Sequence, residues 1–236
     1  MKRDLHPLFD NDVRGIVFDL DGTLIDSAAD IIAAMRLTFA EAGFGAVPRD
    51  YFPDNLHGTT EGIMRSIASD MGWEAPDDLS ALRNAYVAHQ LSMTERSVGL
   101  YEGVMPVLRA CREAGLVLGI CTNKSHAGAL AATAYVGIQE QFDFITGADS
   151  WAQSKPSPLP LLETMRMLGV SPQETLYFGD TSVDAECAQA AGVRFVLYES
   201  GYGDQALADY PRHFAFRHWD ELSAGSEAMA LQDETS

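Results

Sequence analysis

The chain contains 236 residues, 47% of them apolar, and its 16 basic and 34 acidic residues give a formal net charge of −18. This size and composition predict a packed, soluble protein with one large domain, or a core domain and a smaller companion. The acidic excess argues against a nucleic acid or an anionic membrane as partner, because no basic surface is available to displace counterions. A small anionic substrate remains compatible, since surface charges are screened beyond about 8–10 Å.

The first predicted strand covers residues 15–20, where Ile16-Val17-Phe18 leads directly into Asp19. Short apolar runs that end abruptly in polar residues are typical of buried parallel strands. Further runs of this kind occur at residues 116–121, 142–146, 175–178 and 193–198. Helical patterns separate them at residues 104–114, 127–135, 158–168 and 182–191. This alternation predicts an α/β fold, a doubly wound parallel sheet with a Rossmann-like core and helices on both faces.

Residues 27–100 interrupt the alternation with helical patterns and no convincing strand. Apolar residues recur there at helical spacing in three stripes: Ile31, Ile32, Met35, Phe39 and Ala42; Ile63, Met64, Ile67, Ala68 and Met71; Leu79, Leu82, Tyr86 and Met93. We therefore predict a small α-helical domain inserted into a core made of residues 1–26 and 101–222. The polar and acidic residues 223–236 are predicted to form a flexible tail.

No apolar run approaches the length of a membrane span, and the first residues lack the apolar segment of a secretion signal. Cys111, Cys121 and Cys187 form no CxxC pair and are odd in number. We therefore expect reduced, buried thiols in a cytoplasmic protein without a membrane partner.

Four polar motifs follow predicted strands, at the edge where a doubly wound sheet binds its ligand. The first is Asp19-Leu20-Asp21-Gly22-Thr23. Two carboxylates this close are costly unless a cation or a proton shares them. Gly22 permits a sharp turn that brings backbone amides close to an anion. An ordinary acidic turn would explain such a motif if it stood alone.

The other three motifs are individually weaker. Thr122-Asn123 supplies a hydroxyl donor, and Lys155 in Lys155-Pro156 brings one positive charge on a stiffened loop. Residues 179–184 contain Asp180 and Asp184, although the segment also fits a helix capping box. The occurrence of all four motifs in this order, each at a strand end, favours one shared site.

Taken together, these motifs resemble those of the haloacid dehalogenase-like hydrolase superfamily over residues 13–221. Residues 19–27 are similar to its nucleophile motif, Thr122 to its second motif, Lys155 to its third, and Asp180 with Asp184 to its fourth. The helical insertion resembles the α-helical cap of that superfamily. Residues 101–104 and 114–124 resemble the phosphoglycolate phosphatase branch most closely.

The resemblance implies a Mg²⁺-dependent phosphatase that hydrolyses a small phosphomonoester, with 2-phosphoglycolate as the best candidate, through a phospho-aspartate. It implies that Asp19 is the nucleophile and Asp21 the general acid and base. The implied phosphate-binding residues are Thr122, Asn123, Lys155 and Gly22. The implied metal ligands are the side chains of Asp19 and Asp180 and the backbone carbonyl of Asp21, with Asp184 in support. The expected partner is a small phosphorylated metabolite, and the chain is expected to be a monomer or a homodimer.

Other functions stay open at this point. A phosphosugar mutase of the same fold would keep both aspartates, and the substrate of a phosphatase could instead be a sugar phosphate, a nucleotide or pyrophosphate. A non-catalytic phosphate-binding module is disfavoured, because Asp19 and Asp21 are both present. Asp21 also favours phosphate ester chemistry, since dehalogenases of this superfamily lack the second aspartate.

Two further segments carry secondary hypotheses. The loop His57-Gly58-Thr59-Thr60 is predicted to contact the leaving group, although a surface turn would explain it equally well. Residues 201–206 fit a dinucleotide-binding fingerprint, but too little chain follows for the required βαβ continuation. We therefore expect no dinucleotide site.

Overall fold

The computed structural model describes residues 6–53, 56, 58–93 and 96–223. The strands of this part of the chain are β1 (Gly15–Phe18), β2 (Ile25–Asp26), β3 (Gly99–Leu100), β4 (Val117–Cys121), β5 (Phe144–Thr146), β6 (Thr175–Gly179), β7 (Arg194–Tyr198) and β8 (Phe214–Phe216). Six of them form a parallel sheet in the order β5-β4-β1-β6-β7-β8. The five predicted strands are confirmed to within two residues at each end.

The helices are α1 (Ala28–Glu41), α2 (Thr60–Asp70), α3 (Ser80–Ser92), α4 (Val104–Glu113), α5 (His126–Tyr135), α6 (Leu159–Leu168) and α7 (Ser182–Ala191). Successive side chains of β1 point to opposite faces of the sheet, as pleating requires. Ile16 and Phe18 pack with α4 and α5, whereas Val17 packs with α6 and α7. The predicted doubly wound fold, with helices on both faces, is confirmed.

Helices α1 to α3 surround a hydrophobic core of their own, which includes Ile32, Met35, Phe39, Met64 and Ile67. The three stripes seen in the sequence supply these side chains, so each helix turns its apolar face toward the other two. The insertion therefore has a hydrophobic core distinct from the two clusters that pack against the parallel sheet.

Three short strands were not predicted. Gly99–Leu100 (β3) pairs antiparallel with Ile25–Asp26 (β2) and joins the two ends of the insertion, which is therefore not helical throughout. Phe214–Phe216 (β8) adds a sixth strand beside β7. Segments of two or three residues are too short to show a period of two, so their pairing depends on distant partners.

Cys111, Cys121 and Cys187 are buried and form no disulfide, as expected. None of the helices in the described part of the chain combines the length and the apolar character needed to cross a bilayer. His57 and the predicted tail from residue 224 onward lie outside the described residues.

Strand β1 lies between β4 and β6, and Phe18 is level with Ile120 and Phe178. Because the three strands are parallel, their carboxyl ends meet at one edge of the sheet. The motifs that follow them must therefore lie side by side.

Candidate active site

Three buried carboxylates meet at this edge. Asp19 follows β1, Asp180 follows β6, and Asp184 lies in the first turn of α7. One carboxylate oxygen from each lies within 4.8 Å of the other two. The exposed fractions are 6% for Asp19 and 0% for Asp180 and Asp184. The first and fourth motifs of the sequence thus converge on a single acidic cluster.

Lys155, which is 3% exposed, brings the positive charge of this cluster. Its Nζ donates to Asp184 Oδ1 at 2.6 Å and to the Tyr177 hydroxyl at 3.0 Å. The same Nζ also forms an ion pair with Asp19 Oδ1, at 2.8 Å. One ammonium thus serves two carboxylates, and it lies closer to Asp184 than to Asp19.

The pKa values of the cluster reflect this unequal pairing. Burial raises the pKa of Asp19 to about 7, against the opposing effect of Lys155. Burial, followed by the charges of Asp184 and Asp19, raises the pKa of Asp180 well above its ordinary value. Burial also disfavours the charged forms of Asp184 and Lys155. Their mutual attraction outweighs it, so the pKa of Asp184 is lowered and that of Lys155 is raised. The single positive charge of Lys155 therefore compensates Asp184, whereas the ionised forms of Asp19 and Asp180 remain unfavourable.

Asp180 is held by the chain around it. Its Oδ1 accepts from Thr23 Oγ1, and its Oδ2 accepts from the backbone N–H of Tyr202, both at 2.7 Å. Gly22 lies directly against this carboxylate, since a Cβ there would stand 2.3 Å from Asp180 Oδ2, and its φ is +87°. The Gly22 amide donates to Ile25 at 2.9 Å, so in this conformation it is already used. Gly22 thus allows the close approach of Asp180.

Asp184 closes the predicted helix cap and also holds Lys155. Its Oδ2 accepts from the backbone N–H and the hydroxyl of Thr181, at 3.2 and 2.7 Å, and closes the predicted capping box of α7. Its Oδ1 accepts from Lys155 and from the Tyr177 hydroxyl, at 2.6 and 2.7 Å. Because both oxygens are engaged, Asp184 mainly fixes Lys155.

Asp21, two residues after Asp19, has a different environment. Lys124 Nζ lies 2.9 and 3.1 Å from its two oxygens, and the Ser27 hydroxyl also donates to it. The Tyr202 hydroxyl accepts from the Ser27 N–H at 2.9 Å and lies 3.2 Å from Ser27 Oγ. These contacts hold the Asp21 side chain at the mouth of the site, apart from the acidic cluster.

A cavity of about 50 Å³ lies between the sheet edge and the helical insertion. At 10–15 Å³ for each molecule, it has room for about four waters. The core contributes the lining residues Asp19, Asp21, Thr122, Asn123, Lys124 and Lys155. The insertion contributes Ile31, Leu56, Gly58, Thr60, Ile63 and Tyr86.

The second motif lies in the wall of this cavity. Thr122 is 4% exposed, and its Oγ1 accepts from the backbone N–H of Lys124 at 3.2 Å. Asn123 Nδ2 donates to the carbonyl of Lys155 at 3.1 Å, while Asn123 Oδ1 is buried without a partner in the described residues. The structure thus brings Thr122, Asn123 and Lys155 together with Asp19.

The predicted leaving-group loop is divided. Gly58 lines the cavity, but Thr59 caps α2, accepting from Gly62 at 3.1 Å, and lines a neighbouring cavity of about 450 Å³. His57 lies outside the described residues. Only part of this loop therefore contacts the space beside Asp19.

Sequence reasoning missed Lys124 and Tyr202. Lys124 directly follows the Thr122-Asn123 motif, so its position at a strand end was a usable signal. Tyr202 belongs to the segment compared with a dinucleotide fingerprint, but that segment follows β7 at the same sheet edge and packs on Asp180. A strand-end criterion would have found both residues.

The donor set fits a hard divalent cation. All its side-chain donors are carboxylate oxygens, which hard cations prefer, and the raised pKa values of Asp19 and Asp180 show that their ionised forms lack sufficient positive charge nearby. A bound cation would supply that charge. The cluster could therefore hold a metal ion.

Comparisons with known proteins show the family to which the chain belongs. The sequence model of the haloacid dehalogenase-like hydrolase family matches residues 16–198. A phosphoglycolate phosphatase from Cereibacter sphaeroides is 36% identical over 210 residues, which cover 88% of this chain and 95% of the relative. Another from Aquifex aeolicus is 32% identical over 194 residues, covering 80% and 86%.

Solved structures share the fold. A protein assigned as a haloacid dehalogenase-like hydrolase from Bacteroides fragilis has a TM-score of 0.76 and 28% identity, covering 87% of this chain and 97% of the other. CbbY from Rhodobacter sphaeroides, in complex with phosphate, has a TM-score of 0.73 and 24% identity, covering 89% and 96%, and this likeness concerns the fold alone. By its sequence match and its relatives, the chain belongs to the haloacid dehalogenase-like hydrolase family.

Proposed function

We propose that this hydrolase is a Mg²⁺-dependent phosphatase whose substrate is 2-phosphoglycolate and whose nucleophile is Asp19. The observation that carries the proposal is the buried Asp19 carboxylate, which lies beside Asp180 and forms an ion pair with Lys155. The names of the relatives, at 36% and 32% identity, support the phosphoester.

In the first step of this proposal, an Asp19 oxygen attacks phosphorus and the bond to the ester oxygen breaks. The electron pair of that bond leaves with the alcohol oxygen, which takes a proton from Asp21. In the second step Asp21 removes a proton from water, the water oxygen attacks phosphorus, and the bond to Asp19 breaks to release phosphate. Two displacements thus replace one more difficult step. Proton transfer of this kind typically contributes about 10²–10⁴-fold.

Other residues would orient the phosphoryl group. Lys155 and Thr122 border the cavity on the Asp19 side and offer an ammonium and a hydroxyl to phosphoryl oxygens. Lys124 and Ser27 hold the Asp21 carboxylate, so its proton is exchanged at a fixed position. Tyr177 and Asp184 fix the Lys155 ammonium through hydrogen bonds.

The cation would be held by the side chains of Asp19 and Asp180 and the backbone carbonyl of Asp21, with Asp184 in support. Mg²⁺ suits this set, because it binds through one or two carboxylates and keeps several waters. When bound, it would supply positive charge that reduces repulsion between the Asp19 carboxylate and the phosphate dianion.

The helical insertion, residues 27–100, would act as a cap over the substrate. Its side chains line the cavity beside Asp19 and would contact the leaving group of a bound ester. The relatives named phosphoglycolate phosphatase support 2-phosphoglycolate as that ester.

The test is phosphate release from 2-phosphoglycolate by the purified protein, with Mg²⁺ and with excess EDTA. Asp19→Asn should abolish release, while Asp12→Asn at an exposed surface position should not change it. A panel of a hexose phosphate, AMP and pyrophosphate measures selectivity, and analysis for isomerised sugar phosphate detects a mutase. Full activity in EDTA, or in Asp19→Asn, would contradict the proposal.

A further inference from the structure

A buried tyrosine of the insertion lines the cavity beside the acid/base. Tyr86 lies in α3 and is 5% exposed, yet it shares the cavity wall with Asp21 and Lys124. Its aromatic ring belongs to the core of the helical insertion, whose packing fixes the position of the hydroxyl. In the sequence, Tyr86 belongs to an apolar stripe at helical spacing, a pattern typical of core residues.

A second polar side chain supports this hydroxyl. Gln90, one helical turn further along α3 and 8% exposed, donates from Nε2 to the Tyr86 oxygen at 2.6 Å. Residues four apart lie on the same face of a helix, so this pair is formed within α3. A buried glutamine that serves only packing would be unusual, because its amide is costly to bury.

The hydroxyl has a proton left to donate. A tyrosine oxygen accepts hydrogen bonds and also donates one, and Gln90 occupies an accepting position. With the Gln90 amide oriented in this way, no acceptor for the Tyr86 proton is found among the described residues, and Gln90 Oε1 also has no partner there. Burial and then the charge of Asp21 raise the pKa of Tyr86 above its ordinary value, so the hydroxyl stays protonated.

The surroundings indicate which part of a substrate the hydroxyl would meet. Tyr86 lines the same cavity as Asp21, the group proposed to protonate the leaving oxygen, so a bound leaving group would lie in the space that these two residues share. The other insertion side chains in this wall include the apolar Ile31, Leu56 and Ile63. A hydrogen-bond donor among apolar neighbours selects for an acceptor at one place on the leaving group.

We propose that Tyr86 is a specificity-determining residue that donates a hydrogen bond to an acceptor, such as a carboxylate, on the leaving group. Gln90 is a positioning residue that orients the hydroxyl toward the cavity. This inference rests on the proposed phosphatase function and adds to it a residue that distinguishes between leaving groups. A site built to hydrogen-bond a substrate rejects the analogue that lacks the partner group.

The experiment compares kcat/KM for 2-phosphoglycolate with kcat/KM for ethyl phosphate, whose leaving group has similar size but no carboxylate. Tyr86→Phe should lower the ratio of these values by about 10–100-fold, the usual effect of losing a hydrogen bond to a charged group. The loss should be mostly in KM, because the bond is made in both the ground state and the transition state. Tyr51→Phe, whose hydroxyl bonds to Asp70 elsewhere in the insertion, is the matched control and should keep the wild-type ratio.

Gln90→Glu gives an independent test that leaves the tyrosine in place. The new carboxylate would accept the Tyr86 proton, so the ratio should again fall, whereas Gln90→Leu should cause a smaller fall. An unchanged ratio in both Tyr86→Phe and Gln90→Glu, with normal melting temperatures, would overturn the inference. Failure of the wild-type protein to hydrolyse either ester would instead refute the proposed function.

Discussion

The uncompensated charge of the acidic cluster predicts how the stability of the metal-free protein depends on pH. Asp19 has a pKa raised from its ordinary value of 3.8 to about 7 in the folded protein. A group whose pKa is higher in the folded protein than in the unfolded chain stabilises the folded state at any pH where it is protonated. Its contribution is therefore complete below pH 3.8 and is lost as the pH rises through 7. Asp180 acts in the same direction.

The size of the effect follows from linkage. At 1.36 kcal/mol for each unit of pKa, the change at Asp19 corresponds to about 4 kcal/mol across the full pH range. Between pH 5 and pH 8, Asp19 alone should lower the free energy of unfolding by about 2–3 kcal/mol. Asp184, whose pKa is lowered, contributes the opposite slope, but only below about pH 4.

The assay is urea denaturation in excess EDTA at several pH values between 5 and 8. Asp19→Asn, which resembles the protonated form, should make the slope shallower by the part that Asp19 contributes, while the exposed Asp12→Asn should keep the whole slope. Added Mg²⁺ should stabilise the wild-type protein more at pH 8 than at pH 5, because its ligands must be ionised. A metal-free wild-type protein that becomes more stable from pH 5 to pH 8 would refute this reasoning.

Two further substitutions test the surroundings of the cluster. Gly22→Ala should destabilise the protein and lower Mg²⁺ affinity at least tenfold in a thermal-shift titration, because its Cβ would stand 2.3 Å from Asp180 Oδ2. Gly43→Ala, at φ +81° with open space, should show only the backbone penalty of about 1–2 kcal/mol and normal Mg²⁺ affinity. Tyr202→Phe should lower the free energy of unfolding by about 1 kcal/mol and reduce kcat more than it changes KM, since the hydroxyl supports the acid/base. Tyr210→Phe, which removes an exposed hydroxyl bonded to a surface carboxylate at 3.2 Å, is the control and should leave the free energy of unfolding and kcat unchanged. An equal effect of the two tyrosine variants would contradict the role of Tyr202 in holding the Asp21 side chain.

The strand-end motifs could be predicted because their placement follows from topology. Asp19, Thr122 and Asp180 each follow an apolar run, and parallel neighbouring strands bring their ends together at one edge. Local rules of this kind need no knowledge of distant contacts. The capping box at Asp184 was visible for the same reason, since all its atoms lie within four residues.

The remaining features depend on contacts between distant segments. Tyr202 bonds to Ser27 across 175 positions, and Lys124 bonds to Asp21 across 103, so neither pairing leaves a periodic signal in the sequence. The edge strand Phe214–Phe216 is stabilised by its pairing with β7 and has only three residues. The helical spacing of Tyr86 indicated a core residue, and Tyr86 does lie in the core of the insertion. The sequence pattern could not show that this core also borders the cavity beside Asp19.

The proposed mechanism requires Asp19 to carry the phosphoryl group during turnover. Acid quenching of the enzyme during turnover of ³²P-labelled 2-phosphoglycolate, followed by peptide mapping of the trapped label, detects this phospho-enzyme. Label is expected on the peptide that contains Asp19, released by hydroxylamine and absent from Asp19→Asn. Turnover without protein-bound label, or label on a peptide without Asp19, would contradict it.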